Sequence, residues 1–268
     1  MRIAAVLSGD ENLKKAFLEY GDPHSMTAVG IFHPHWQVED FLKVKNESPY
    51  KEQRAIGKSS NFAFLFGGGS YSFTQDVIMK SWTYDECIDF LEEKRITWKD
   101  DPFFAVGEEI RNSFFRTYPR LKEWHEKCHR TAEEEGCIYS VYGARRLLPE
   151  LTYIGEDSDS KELSKLYNKS KNSPVQNFEA VAIMRAMREL HSFYKENGMK
   201  SRLFGMIHDA TQNYIHRDEQ TILKKKIPEI FERDYPEYEG MKMEYEMDLA
   251  DPYDVDNPSV WGFGINWN

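Results

Sequence analysis

Three observations predict a mostly helical α+β fold. From Asp10 to about residue 131, successive segments carry helical spacing with caps and stops at their ends, among them Asp22-Pro23 and Gly67-Gly68-Gly69. At Gly136 the texture changes, and Cys137–Val141 alternates as a strand does before Tyr142-Gly143 turns the chain. The 268 residues are 40% hydrophobic and 30% charged, a globular balance with enough apolar mass for one large domain or two small ones.

Taken in order, residues 10–20 read as a short helix closed by Gly21. Residues 22–32 read as a second, with Asp22 as N-cap and Pro23 in the first turn. Residues 33–49 carry Pro34 and Pro49 and read as irregular. Residues 50–66 form a strong helix pattern stopped by the three glycines. Helices follow at 83–97 and about 103–131, the second broken at Pro119. Residues 137–149 read as a hairpin, and residues 160–198 as a long helix bent near Pro174. Two short strands at 202–208 and 211–216 flank a turn at His208-Asp209-Ala210. A helix at 218–233 and a strand at 241–249 complete the expectation.

The net charge of −10 argues against a nucleic-acid partner only on average. Residues 229–256 hold eleven acids and two bases, so the remaining 240 residues sum to only −1 and have room for a local basic cleft. No run of about 18 apolar residues exists, so no membrane span and no membrane partner are expected. The first seventeen residues have too short an apolar run for a signal peptide. Three cysteines give no disulfide framework and fit a reducing compartment, the cytoplasm.

Arg54, Lys58, Phe62 and Phe66 stand four apart, which on a helix makes one stripe about 18 Å long. Cations at one end would take phosphates, and rings at the other would stack near a base. The same spacing fits an amphipathic helix with core phenylalanines and surface cations. His208-Asp209 on a tight hairpin would present a rigid carboxylate to a metal, or be an ordinary turn. Asn172 and Gln176 put two amides one turn apart, fit to read base edges or to be solvated beside a proline kink. His125, Cys128 and His129 share a helix face; a zinc-binding module is imaginable there, but no fourth ligand matches and a solvated face is the expectation. His33-Pro34-His35 reads as a histidine pair without partners. Lys224-Lys225-Lys226 reads as a solvated helix face, and Lys161, Lys165, Lys169 and Lys171 fall on one helix where they would meet a DNA backbone.

In order along the chain these pieces resemble the family A DNA polymerases, the group of bacterial DNA polymerase I and phage replicative enzymes. The family's finger-helix motif, Arg-x3-Lys-x3-Phe/Tyr-x3-Tyr-Gly with Asn before the first aromatic, stands here as Arg54, Lys58, Asn61-Phe62 and Phe66-Gly67. Its His-Asp-Glu appears as His208-Asp209-Ala210, and its Gly-Arg-Arg-x-Leu-Pro as the run from Gly143 through Arg145-Arg146 to Pro149. Its Asn-x-Pro-x-Gln appears as Asn172-Ser173-Pro174-Val175-Gln176. Leu7-Ser8-Gly9-Asp10, Asp22-Pro23-His24 and the closing Asn266-Trp267 also match. The resemblance covers essentially the whole chain, and six motifs stand in the family's order.

The resemblance implies fingers helices plus the C-terminal part of a palm with antiparallel sheet. Residues 1–32 would start the palm-to-fingers segment, 33–135 would be fingers and 136–268 palm. It implies template-directed addition of dNTPs to a primer 3′ end with two Mg²⁺ ions, Asp209 being one of the two bridging carboxylates. Lys58 and His208 would join Asp209 in catalysis. Arg54, Lys58, Phe62 and Phe66 would bind the dNTP. Arg145, Asn172, Gln176 and His208 would contact primer-template DNA. Phe62, lacking a hydroxyl, is the type that disfavours dideoxynucleotides.

Four departures qualify this. The family's Asp-Tyr-Ser-x-Ile-Glu motif, with the other metal-binding Asp, is not in these 268 residues, and Met1-Arg2 align with its last two positions. Ala210 replaces a Glu, Phe66 replaces a Tyr, and Asn168 falls where the family often has an Arg. The expectation is a polymerase portion, bacterial or phage, inactive alone and completed by an upstream polymerase half as a separate chain. The alternative is a non-catalytic DNA- or nucleotide-binding remnant.

Overall fold

The computed structural model describes residues 1–153, 160–207, 210–249 and 265–266. Their elements form two compact units, Met1–Asn177 and Phe178–Asn268. The mostly helical α+β expectation holds: twelve α-helices and three two-stranded antiparallel ladders lie among the described residues.

The first unit opens with α1 (Arg2–Ser8), where no element is expected, and Gly9 ends it in the left-handed region at φ 62°. Asp10 then caps α2 (Glu11–Leu18), accepting from Leu13 N at 2.9 Å. Its other oxygen accepts from Arg120 N at 2.9 Å and Leu121 N at 3.3 Å, so one buried carboxylate caps two helices 110 residues apart. Asp22 caps α3 (Pro23–Phe32) as the sequence predicts. Residues 33–49 are not wholly irregular: α4 (Val38–Val44) lies between the two prolines. Val38 and Phe41 give it a buried face, and Glu39 and Asp40 in its first turn favour the helix dipole.

The stripe helix is α5 (Tyr50–Leu65). After it come α6 (Ser70–Phe73), a π-helical stretch at Thr74–Ile78 and α7 (Met79–Ser81). A capping box of Thr83 and Glu86 starts α8 (Tyr84–Glu93). Proline opens both α9 (Pro102–Thr117) and α10 (Pro119–Glu135), so Pro119 is the expected break. Phe64, Phe73, Phe114 and Tyr118 meet ring to ring, with centroids 4.8–5.5 Å apart, in the middle of these helices. Strands β1 (Cys137–Tyr139) and β2 (Arg145–Leu147) form the predicted hairpin, pairing Tyr139 with Arg145. A 3-10 turn at Pro149–Thr152 and α11 (Ser160–Glu196) follow. Pro174 lies inside α11 without ending it.

The second unit holds the end of α11, the hairpin of β3 (Arg202–Ile207) and β4 (Ala210–Tyr214), and α12 (Gln220–Phe231). Leu190, Tyr194, Leu223, Ile227 and Ile230 form its core. The strand expected over 241–249 reduces to β5 (Asp248–Leu249), paired with β6 (Ile265–Asn266). Residues 241–247 have no ladder partner among the described residues, and alternation alone does not make a strand. His208 and Asp209, between β3 and β4, lie outside the described residues.

Candidate functional site

Helix α5 lies against α3 with Gly57 at the contact. A Cβ there would stand 2.5 Å from the His24 carbonyl oxygen and 3.0 Å from Ala28 N, so only glycine admits this approach. Ile56, Ser60, Asn61, Phe64 and Leu65 form the buried face of α5. The predicted stripe therefore faces outward. Lys58 is exposed, and Phe62 is 55% exposed rather than a core phenylalanine, which removes the purely structural reading of that ring. Phe66 is half-buried at the position that ends the helix.

Arg54 does not stand free. Its Nε donates to Asp22 Oδ2 at 3.0 Å and its Nη2 to Asp22 Oδ1 at 3.0 Å, a bidentate fork. Lys45 Nζ donates to the same carboxylate at 2.8 Å, as does the Ser25 hydroxyl at 3.0 Å. Burial pushes the Asp22 carboxyl up, but Arg54, Lys45 and Ser25 together outweigh it and hold it well below the usual carboxylate range.

Asn61 locks the next turn. Its Nδ2 donates to His24 Nδ1 at 2.9 Å, so the neutral His24 ring carries its proton on Nε2. Burial, then Arg54 and Lys58, lower the His24 pKa, with Asp22 opposing them. Asn61 Oδ1 accepts from Thr27 Oγ1 at 2.7 Å. The Thr27 hydroxyl spends its single proton there and on Pro23 O, so the Tyr118 hydroxyl, 2.8 Å away, donates to it. His24 and Phe62 lie with ring centroids 6.1 Å apart. Gly57, Thr27, Tyr118 and Lys45 were not legible as site residues; each acts through a partner remote in sequence.

The C-terminal end of α5 is held by other elements. His125 Nε2 donates to Leu65 O at 3.0 Å. Burial, then Lys171, push the His125 pKa down to about 3. Burial also raises Cys128 to about 12 and, with Lys171, lowers His129 to about 4. The expected solvated face at His125, Cys128 and His129 is thus a largely buried one, because α10 turns it inward. No cluster of three or more metal-capable side chains lies among the described residues. The described residues therefore do not by themselves form the magnesium site that the resemblance implies. The His33 ring has partners after all: Gln53 at 2.8 Å and the Trp36 ring stacked at 4.4 Å.

A second region gathers three more predicted residues. Arg145, Asn172 and Gln176 border one groove of about 640 Å³, together with Arg146, Lys165, Asn168 and Lys169. The predicted lysine series divides: Lys165 and Lys169 are exposed at this groove. Lys171 is buried beside Gly67, and burial, then Arg111, lower its pKa to about 8.

Among the described residues no helix is long and apolar enough to cross a membrane. A profile of DNA polymerase family A matches residues 104–254. DNA polymerase I of Bacillus subtilis (strain 168) is 25% identical over 232 residues, covering 87% of this chain and 22% of that protein. The DNA polymerase of Escherichia phage T5 is 26% identical over 226 residues, covering 80% of this chain and 24% of that one. The chain thus spans less than a quarter of the length of these two relatives. The POL domain of Pol1 from M. smegmatis, solved in complex with DNA primer-template and dNTP, shares the fold with a TM-score of 0.63 at 22% identity. That match covers 88% of this chain and 35% of that domain. With more than half of its residues matched by the family profile, the chain belongs to the family A DNA polymerases.

Proposed function

We propose that the chain is the fingers and C-terminal palm portion of a DNA-directed DNA polymerase, which adds dNTPs to a primer 3′ end under template direction. The observation that carries this is the outward stripe of α5, with Lys58 and Phe62 exposed together on a helix fixed by Gly57, Asn61 and Arg54. Residues 1–32 lead from palm to fingers, 33–135 are fingers and 136–268 are palm.

Lys58 meets the triphosphate and steadies the departing pyrophosphate. Arg54 contributes through Nη1, the part of its guanidinium outside the Asp22 fork. Phe62 stacks near the incoming base, and Phe66 lies at the template side. Arg145, Asn172 and Gln176 touch the duplex at its minor groove, whose acceptors are nearly alike for every base pair. His208 and Asp209 are assigned to the primer terminus and to metal binding by motif alone. The ions supply activation of the primer hydroxyl and charge neutralisation. The second carboxylate would come from the Asp-Tyr-Ser-x-Ile-Glu motif, which these 268 residues do not contain.

Primer extension with Mg²⁺ and dNTPs tests the reading. The 268 residues alone are expected to extend nothing. Extension is expected once a polypeptide carrying that motif is added, and its loss in Asp209→Ala. Extension that survives Asp209→Ala would refute the assignment. Ala210, where the family has Glu, favours a non-catalytic DNA-binding remnant as the second reading, and failure of every complementing polypeptide would select it.

A further inference from the structure

We propose that Lys171 is a positioning residue for the nucleotide: its buried ammonium steadies the C-terminal end of α5, where Phe66 and Gly67 follow the outward stripe. The inference rests on the polymerase reading and adds to it a residue outside the family's motifs. Lys171 is only 6% exposed, on a turn of α11 that packs against this end of α5. A Cβ on Gly67 would overlap the Lys171 Nζ and Cε atoms and stand 2.6 Å from Asn168 Oδ1. Gly67 has φ 87°, so a bare backbone in the left-handed region makes room for the ammonium. Neutral donors already take the last carbonyls of α5: Gly68 N donates to Ala63 O at 2.8 Å, Gly67 N to Phe64 O at 3.1 Å and His125 Nε2 to Leu65 O at 3.0 Å. Lys171 adds the positive charge that the C-terminal end of a helix favours.

Burying a cation costs free energy, and here no acid offsets it. Arg111 on α9 lowers the Lys171 pKa and the Cys128 thiol on α10 raises it; no carboxylate is among the groups that act on it. A hydrophobic side chain of the same length would fill this place without that cost, so packing alone does not account for a lysine. The other titratable groups on α10 beside it are silent near neutral pH. His125 is lowered to about 3 and His129 to about 4, and Cys128 is raised to about 12. Lys171, lowered to about 8, is therefore the member of this cluster that changes charge between about pH 7 and about pH 9.

The test is equilibrium binding of dTTP to the full chain with primer-template present, from about pH 7 to about pH 9. Wild-type affinity is expected to fall about fivefold across this range, the effect of losing a favourable charge at a helix end. Lys171→Met keeps the length of the side chain and loses the charge. It is expected to bind dTTP about fivefold more weakly than the wild type at about pH 7, and to show no change with pH. Its melting temperature by circular dichroism is expected to equal or exceed that of the wild type, because a buried charge is gone. Undiminished affinity in the variant, or a wild-type affinity that does not change with pH, overturns the positioning role and leaves the polymerase reading intact. Weaker binding together with a lower melting temperature makes Lys171 a packing residue and overturns it as well. A wild-type chain that binds no dTTP overturns the polymerase reading, and the inference with it.

Discussion

Asp22 grips Arg54 through both carboxylate oxygens, at 3.0 Å each, while the same carboxylate caps α3. The cap and the charge can be separated. Asp22→Asn keeps an oxygen for Ser25 N but loses the negative charge and one arm of the fork. Because Arg54 and Lys45 stay about a third exposed, the expected cost is about 1–2 kcal/mol rather than that of a fully buried pair. Asp22→Ala, which also loses the cap, is expected to cost about 1 kcal/mol more. Urea unfolding of the three proteins measures both steps; no loss in Asp22→Asn would mean the fork contributes nothing, and equal losses in the two variants would mean the cap contributes nothing.

Gly57 sets the distance between α3 and α5. In an unconstrained helix Gly→Ala stabilises by about 1 kcal/mol. Here the new methyl meets the backbone of α3, so Gly57→Ala is expected to destabilise by about 1–3 kcal/mol. A rise in melting temperature would show that the helices are not in contact at this point.

Asp10 joins the starts of α2 and α10 through one carboxylate. Asp10→Ala removes two caps at once and is expected to cost about 2–3 kcal/mol, more than a single cap. Asp10→Asn, which keeps one acceptor, should fall between. A loss under about 0.5 kcal/mol for Asp10→Ala would remove the double cap from the account.

His125 predicts a pH dependence. Its folded pKa of about 3 lies below its ordinary 6.5, so the unfolded chain binds more protons in that window. Its contribution is complete above about pH 6.5 and is lost as pH falls toward about 3. His129, lowered to about 4, acts in the same direction. His125→Gln can still donate to Leu65 O but does not titrate. Its unfolding midpoint is therefore expected to fall less than that of the wild type between pH 7 and pH 4. Parallel curves would show that His125 is not neutral and buried.

Local signals carried most of the helices. Asp22-Pro23 and Pro119 each act within one turn of themselves, and each helix start stands where they stand. The features that escaped depend on residues far apart. Asp10 reaches Arg120, Thr27 reaches Tyr118, and Gly57 matters only because α3 passes it. Helix α4 was hidden by its two flanking prolines, which proved to bound it. The inward turn of His125 and Cys128 was equally illegible, since the surrounding charges of α10 suggested solvent and only packing chooses the buried face. The lysine series shows the same limit, because about half a turn of α11 separates exposed Lys169 from buried Lys171.

The central claim is that the outward stripe of α5 holds a nucleoside triphosphate. Its most direct test is equilibrium binding of a dNTP to the full chain with primer-template present, comparing wild type with Lys58→Ala. Lys58 is exposed, so the variant should fold as the wild type does. The account predicts binding by the wild type and affinity at least about tenfold weaker in the variant, as expected for losing a charge-assisted contact of about 1.5–3 kcal/mol. Equal affinity in the two proteins, or no binding by the wild type, would contradict it.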